Sequence, residues 1–186
     1  MKPAIFLDRD GVIIENRPKY VLDWQDVTVF PQALQALALL RQFPLHIVIA
    51  TNQSAVGRGQ LSMSAARQIN ANLVQVIERA GGRVDAVFMC PHTPEDQCDC
   101  RKPKPGLLLQ AAQSLSIDLP GSVMIGDALT DLQAARSAGI HNAILVKTGR
   151  GEAQLMLPES SSIDEFHIAG SLLDAVPLIH NLYDLR

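Results

Sequence analysis

The chain lacks any apolar run long enough to cross a membrane, since its hydrophobic stretches fall well short of the roughly 20 residues that a spanning helix requires. No secretory leader is expected either, because Met1 leads within a few residues into a carboxylate-rich motif. The basic excess of a general nucleic-acid binder is also missing. Sixteen Lys and Arg stand against 19 Asp and Glu, a net charge of -3. Cysteine is scarce: three cannot all pair within one chain, so a complete disulfide framework is excluded. In a cytoplasmic protein, the location expected here, such thiols read first as metal ligands or reactive groups. Repeats, low-complexity tracts and linkers are absent, and residues 1–186 are expected to form one domain. A composition of 47% hydrophobic and 19% charged residues is enough to build a core.

What is present alternates. The runs "AIFL" (Ala4–Leu7), "HIVIA" (His46–Ala50), "DAVFM" (Asp85–Met89), "SVMI" (Ser122–Ile125) and "NAILV" (Asn142–Val146) predict strands buried on both faces, as in a parallel sheet. Helical patterns lie between them at Gln32–Gln42, Ser62–Ala80, Gly106–Leu115 and Leu129–Ala138, with a last strand and helix after Phe166. The fold class predicted is α/β, a doubly wound parallel sheet with its active site at the carboxyl ends of the strands. Three stretches fall outside the alternation. Val12–Phe30 has no clean helical period, Pro91–Pro105 reads as a long irregular loop, and Glu152–Asp164 reads as a polar surface connection. Long loops inside a compact domain are usually functional.

Carboxylates collect at the predicted strand ends. "FLDRDGV" places Asp8 and Asp10 directly after the first strand, on the same side of an extended chain, with Gly11 permitting a sharp turn. Two carboxylates so close repel, and a cation near them is physically favoured. A lone D-x-D-G is equally at home in a capped surface turn. Here "IVIATNQS" also ends in Thr51 and Asn52, and "SVMIGDALTD" ends in Gly126 and Asp127 with Asp131 a helical turn on. Three strand ends thus supply one rim.

The cysteines gather in "MCPHTPEDQCDCRKPKPG". Cys90, His92, Cys98 and Cys100 offer three thiolates and an imidazole, a set suited to tetrahedral zinc with no open position and therefore to a structural site. The competing reading is a free-thiol cluster or a transient disulfide. Zinc would order a loop with little apolar material of its own and fix the Arg101–Lys102 pair that follows. His46, His141, His167 and His180 have no acidic or thiol neighbours in sequence and read as structural.

In their order these features resemble the haloacid dehalogenase superfamily of phosphotransferases. Its motifs are matched by Asp8-Arg9-Asp10, by Thr51, by Lys102 in "KPKP", and by Gly126-Asp127 with Asp131, over roughly Ile5 to Val146. The resemblance implies Asp8 as nucleophile, through an aspartyl-phosphate, and Asp10 as general acid and then base. It implies Thr51 and Lys102 on the phosphoryl oxygens, and Mg²⁺ held by Asp8, Asp127 and the Asp10 main-chain carbonyl. Asp131 would orient that metal site, and Lys104 is the second choice for the motif lysine.

The zinc loop narrows the resemblance to the branch of heptose 1,7-bisphosphate 7-phosphatases and histidinol-phosphate phosphatase domains. That branch lacks a separate cap domain, and no stretch here is long enough to encode one. Its pattern implies substrate contacts from Asn16, Arg17 and Lys19, from Thr51, Asn52, Gln53 and Ser54, and from Arg101 and Lys102. Arg17, Lys19, Arg58 and Arg101 are the cations expected around the pocket mouth, where they favour a small phosphorylated sugar with a second phosphate as partner. No nucleic-acid or membrane partner is expected. The sequence departs from the branch in its short His92–Cys98 spacing and in Ala128, where some members have lysine. Two other classes stay open at this level: a zinc-stabilised binding module, and an inactive phosphate-binding relative.

Overall fold

In β1 (Ala4–Leu7), Ala4 and Phe6 pack on one side while Ile5 and Leu7 pack on the other. A strand apolar at every position needs cover on both faces, and the chain supplies it. The computed structural model describes residues 1–163 and 165–183. After β1 come β2 (His46–Asn52), β3 (Ala86–Cys90), β4 (Val123–Gly126), β5 (Asn142–Val146) and β6 (His167–Ala169). The helices are α1 (Pro31–Leu40), α2 (Ser54–Gly57), α3 (Met63–Arg79), α4 (Gly106–Leu115), α5 (Leu129–Ser137), α6 (Gly151–Leu155) and α7 (Leu172–Leu182).

The strands form one parallel sheet in the order β3-β2-β1-β4-β5-β6. Ile5 and Leu7 belong to the core under α1, α3 and α7, built from residues such as Leu37, Leu73 and Ile179. Phe6, Val48 and Met124 face Leu107, Leu108 and Ala134 of α4 and α5. Each large side chain buried in these layers contributes about 1.5–3 kcal/mol. The helix patterns have ordinary causes. In α3 the residues Ala66, Ile69, Leu73 and Ile77 recur on one face, and the Ser62 hydroxyl caps the start by accepting from the Ala65 N–H.

This order positions the site. The chain begins in the middle of the sheet, winds out to β3, and returns to lay β4 against the free side of β1. The winding direction reverses between β1 and β4, and ligands of open α/β sheets bind in that crevice. Leu7 is in register with Ile49 and Ile125, so Asp8, Thr51 and Asp127 all leave the sheet near one level. Among the described residues no second domain covers this end, and no helix is long and apolar enough to cross a membrane.

Three local features differ from the sequence reading. β2 continues through Thr51 and Asn52, because both pair with β3 at Met89 and Cys90. The tetrapeptide helix α2 in "SAVG" is too short to show a period. The expected polar connection over 152–164 instead holds most of α6 and a 3₁₀ turn at Pro158–Ser162, with Leu155 packed on Leu132 and Leu145. Asp164, at the end of that stretch, lies outside the described residues. Val12–Phe30 remains non-helical apart from the turn Trp24–Asp26, and is anchored by buried Val12, Ile13, Ile14 and Val21.

Candidate active site

Lys102 is the hub of the strand ends. It arrives from the loop after β3, is almost wholly buried, and its ammonium donates to Asp8 Oδ1 at 2.9 Å, Asp131 Oδ1 at 2.6 Å and the Ala50 carbonyl at 2.7 Å. Three N–H donors meet three acceptors, so the head group is saturated and fixed. Burial alone would lower its pKa, but Asp131 and Asp8 hold it well above the ordinary lysine value. Asp8 moves the other way from a usual carboxylate. Burial pushes it up to about 7 against the pull of Lys102, with Asp131 and Asp127 adding to the rise. Asp131 is likewise raised by burial; its Oδ2 accepts from the Ala128 N–H and so caps α5.

Removing this lysine has a calculable consequence. In Lys102→Met two buried carboxylates lose their shared cation, a change that typically costs about 3–5 kcal/mol. A raised carboxylate pKa destabilises the fold as pH rises from the unfolded value toward the folded one. The loss, measured by urea unfolding without added Mg²⁺, is therefore expected to be larger near about pH 8 than near about pH 6, where Asp8 takes up a proton. Equal losses at both pH values would contradict the placement of the charge.

Asp10 sits at the pocket wall in a different setting. The Arg9 guanidinium donates through Nε to Oδ2 and through Nη2 to Oδ1, both at 3.1 Å, while Nη1 donates to Asn70 Oδ1 of α3 at 2.8 Å. Gln53 Nε2 donates to Asp10 Oδ2 at 3.1 Å and the Thr51 hydroxyl donates to it at 3.4 Å. Thr51 is fully buried, and its hydroxyl lies under Asp10 rather than on the pocket lining. Asn52 exchanges hydrogen bonds with the main chain of Lys102 and ties β2 to the lysine loop.

Asp127 is enclosed. Its Oδ2 accepts from Asn16 Nδ2 at 2.6 Å, from the Arg150 N–H at 2.8 Å and from Arg150 Nε at 3.2 Å; its Oδ1 accepts from Arg150 Nη2 at 3.0 Å. Two positive-φ glycines close around it, Gly11 at φ +83° and Gly149 at φ +63°, and a Cβ on either would fall within 2.4 Å of Asp127 Oδ2. Glycine is required there for both backbone conformation and space. The Thr148 hydroxyl donates to the Gly11 carbonyl and locks the two loops together. Asp8, Asp127 and Asp131 each bring a carboxylate oxygen within 4.8 Å of the others. Three buried acids against one shared lysine and one arginine form a donor set suited to a hard divalent cation with oxygen ligands.

The sulfur cluster lies on the loop that carries Lys102. Cys90, His92, Cys98 and Cys100 place their ligand atoms within 4.8 Å of one another. The sulfurs stand 3.2–3.6 Å apart, and His92 Nδ1 is 3.3 Å from Cys100 Sγ and 3.6 Å from Cys90 Sγ. A disulfide would need about 2.05 Å, whereas the edges of a tetrahedron with bonds of about 2.3 Å are about 3.8 Å. Burial pushes Cys90 up, and burial with neighbouring thiols pushes Cys100 up further. At Cys98 burial raises the thiol, but hydrogen bonds from Cys100, the Arg101 N–H and Cys90 together outweigh it and bring it down to about 7. Lys104, the alternative motif lysine, is not on the pocket; it bonds the Gln97 carbonyl and Asp99 and staples the loop from outside.

An open pocket of about 1130 Å³ lies over these groups. Its lining includes Asn16, Arg17, Lys19, Asn52, Gln53, Ser54, Arg101 and Lys102, all anticipated from sequence. It also includes Arg9, Thr130, Asp131 and Arg150, of which only Asp131 had been assigned a role. Arg9 was legible only as the variable position of D-x-D. Arg150 follows the carboxyl end of β5, the one signal that marks it. Arg58 corrects an expectation. It does not line the pocket but pairs with Tyr20 and Glu95. The acids of the cysteine loop turn away from it too: Glu95 pairs with Arg58, Asp96 caps the turn at Thr93, and Asp99 holds Lys104. Asp8, Asp10 and Asp131 are the only acids lining the pocket among the described residues.

Residues 99–175 match the HAD-hydrolase-like family. The chain is 38% identical to the D-glycero-beta-D-manno-heptose-1,7-bisphosphate 7-phosphatase of Pseudomonas aeruginosa over 92% of its own length and 98% of that protein. It is 42% identical to the enzyme of the same name from Bordetella bronchiseptica, over 87% and 91%. The crystal structure of a D,D-heptose 1,7-bisphosphate phosphatase from B. bronchiseptica, complexed with magnesium and phosphate, superposes with a TM-score of 0.87 at 36% identity, covering 96% of this chain and 98% of that one.

Proposed function

The chain belongs to the haloacid dehalogenase family of phosphoric monoester hydrolases, and from that premise we propose that this phosphatase releases the 7-phosphate of D-glycero-D-manno-heptose 1,7-bisphosphate. The relatives carry that name. The observation that carries the reading in this chain is the charge pattern of the pocket. Among the described residues its acids are Asp8, Asp10 and Asp131 alone, while Arg17, Lys19, Arg101 and Arg150 line it as well. A second phosphate on the substrate calls for such cations; an amine or imidazole would call for carboxylates. We read residues 1–186 as one such domain, acting in the cytoplasm.

In this mechanism Asp8 is the nucleophile. Lys102 holds Oδ1, and Oδ2 attacks the phosphorus as the ester bond to the primary sugar oxygen breaks, giving an aspartyl-phosphate. Asp10 donates a proton to the departing sugar oxygen and then takes one from the water that cleaves the acyl phosphate. Arg9, Gln53 and Thr51 hold that carboxylate at the pocket wall through both transfers. Asp8, Asp127 and the Asp10 carbonyl would hold Mg²⁺, which when bound neutralises charge on the transferring phosphoryl group. Asp131 positions Lys102. Thr51 stands against Asp10, and its service to the phosphoryl group runs through that contact. Cys90, His92, Cys98 and Cys100 would hold one structural Zn²⁺.

Arg101 is assigned to the anomeric phosphate. Its Nη1 donates to the Ser54 hydroxyl at 2.7 Å and to the His92 carbonyl at 3.1 Å, which points the guanidinium along the pocket wall. Arg101→Ala is expected to lower kcat/KM for the bisphosphate by about 10–100-fold, as loss of a charge-assisted contact does, and for a heptose 7-monophosphate by less than about threefold. A higher kcat/KM for histidinol phosphate than for the bisphosphate, or an equal effect of Arg101→Ala on both sugars, would overturn this substrate.

A further inference from the structure

The two oxygens of Asp127 are held unequally. Oδ2 has three donors, and two of them are main-chain or short-chain groups that the loops fix in place: the Arg150 N–H and the Asn16 amide. Oδ1 has one donor, Arg150 Nη2 at 3.0 Å. Asp127 is 0% exposed, whereas the Arg150 side chain is 57% exposed and lines the pocket. A cation that shares Asp127 with Asp8 can therefore gain an oxygen at the cost of one mobile group, the Arg150 guanidinium, whose Nη2 leaves Oδ1 and whose Nε leaves Oδ2. The Arg150 N–H and the Asn16 amide stay on Oδ2. The neighbouring cations offer no such exchange. Lys102 has no unmatched N–H, and Arg9 is forked onto Asp10 and tied to Asn70. Burying Asp127 without a partner would be costly, so one positive charge must always be at hand.

We propose that Arg150 is the exchangeable partner of Asp127. Its guanidinium holds Oδ1 until the divalent cation takes that oxygen, and is then free to meet an anionic group of the substrate in the pocket. This rests on the magnesium site of the proposed function and adds to it an order of events: metal first, phosphorylated sugar second. Arg150 and the metal compete for one carboxylate, so metal affinity carries the cost of displacing the guanidinium. Substrate affinity gains what the displacement releases, a coupling between sites that is reciprocal.

The test uses purified full-length protein with zinc present and no substrate, titrated with MgCl₂ in a calorimeter. Arg150→Gln keeps a polar side chain but not the fork or the charge. It is expected to tighten Mg²⁺ binding by about tenfold, within the usual range of coupled sites, while raising KM for the bisphosphate. A purely structural role would weaken the site instead. Lys19→Gln removes another pocket cation and is expected to change Mg²⁺ affinity by less than about twofold, because it does not touch Asp127. Arg150→Lys keeps the charge without the fork and should fall between wild type and Arg150→Gln. An unchanged or weaker Mg²⁺ affinity in Arg150→Gln overturns the proposal, as does equal tightening by Lys19→Gln. Absence of any Mg²⁺ binding in wild type would instead mark failure of the metal reading on which it rests.

Discussion

Asp8→Asn is expected to abolish turnover, lowering kcat by at least about 10⁴-fold, or about 5.5 kcal/mol of barrier, while the protein stays folded. The amide cannot form the acyl phosphate, so the effect falls on the chemical step rather than on binding. The second half of the prediction is less obvious. Asp8 is buried and its pKa is pushed up to about 7, so at neutral pH the folded state bears a cost for keeping it charged. The neutral amide removes that cost. Lys102 keeps Asp131 and the Ala50 carbonyl as partners. Thermal unfolding without added Mg²⁺, with zinc in place, should therefore show Asp8→Asn at least as stable as wild type above about pH 7, with the advantage vanishing as pH falls toward the unfolded value of about 4. Residual turnover within tenfold of wild type would remove Asp8 from the role of nucleophile.

The second large effect is expected from the sulfur cluster. Stripping zinc, or replacing Cys98 by Ser, should destabilise the protein by several kcal/mol, since structural zinc contributes folding free energy of about 10–16 kcal/mol in small sites, part of which a folded core can replace. The damage should not stay local. Cys100 is two residues from Lys102, and Arg101 between them bonds the His92 carbonyl of the same cluster. Losing the cluster frees the loop, and Lys102 loses the fixed path that brings it to Asp8 and Asp131. Activity should fall with zinc content, and added Mg²⁺ should not restore it. Elemental analysis is expected to find about one zinc per chain. A zinc-free protein with full activity and unchanged unfolding would contradict both the site and its coupling to Lys102.

Much of this arrangement is legible in the sequence because its parts are local. Asp8 and Asp10 announce themselves by position after an apolar run. Cys90, His92, Cys98 and Cys100 announce themselves by spacing, and the α/β alternation follows from short strands apolar on both faces. What the sequence left out is of two kinds. Elements too short for a period, α2 and the 3₁₀ turn after α6, gave no signal; neither did the extension of β2, which depends on its pairing with β3. Long side chains whose partners are far along the chain also gave none. Arg9 is a variable position until Asn70, far along the chain on α3, accepts from it.

The sequence by itself determined which chemical groups this protein has and which strand end or loop carries each, because periodicity and spacing act over a few residues. Only the tertiary structure decided who partners whom. It set Lys102 on Asp8 and Asp131 across 94 and 29 residues of chain and Thr51 beneath Asp10, and it gave Arg58 to Tyr20 and Glu95 rather than to the pocket lining. It also brought Arg150 onto Asp127, by reversing the winding of the sheet beside β1 and letting two glycines close on one carboxylate. The physical reason is that a buried charge takes the partner that the packed backbone delivers within about 3 Å, and that choice is made by the register of the strands and the paths of the loops.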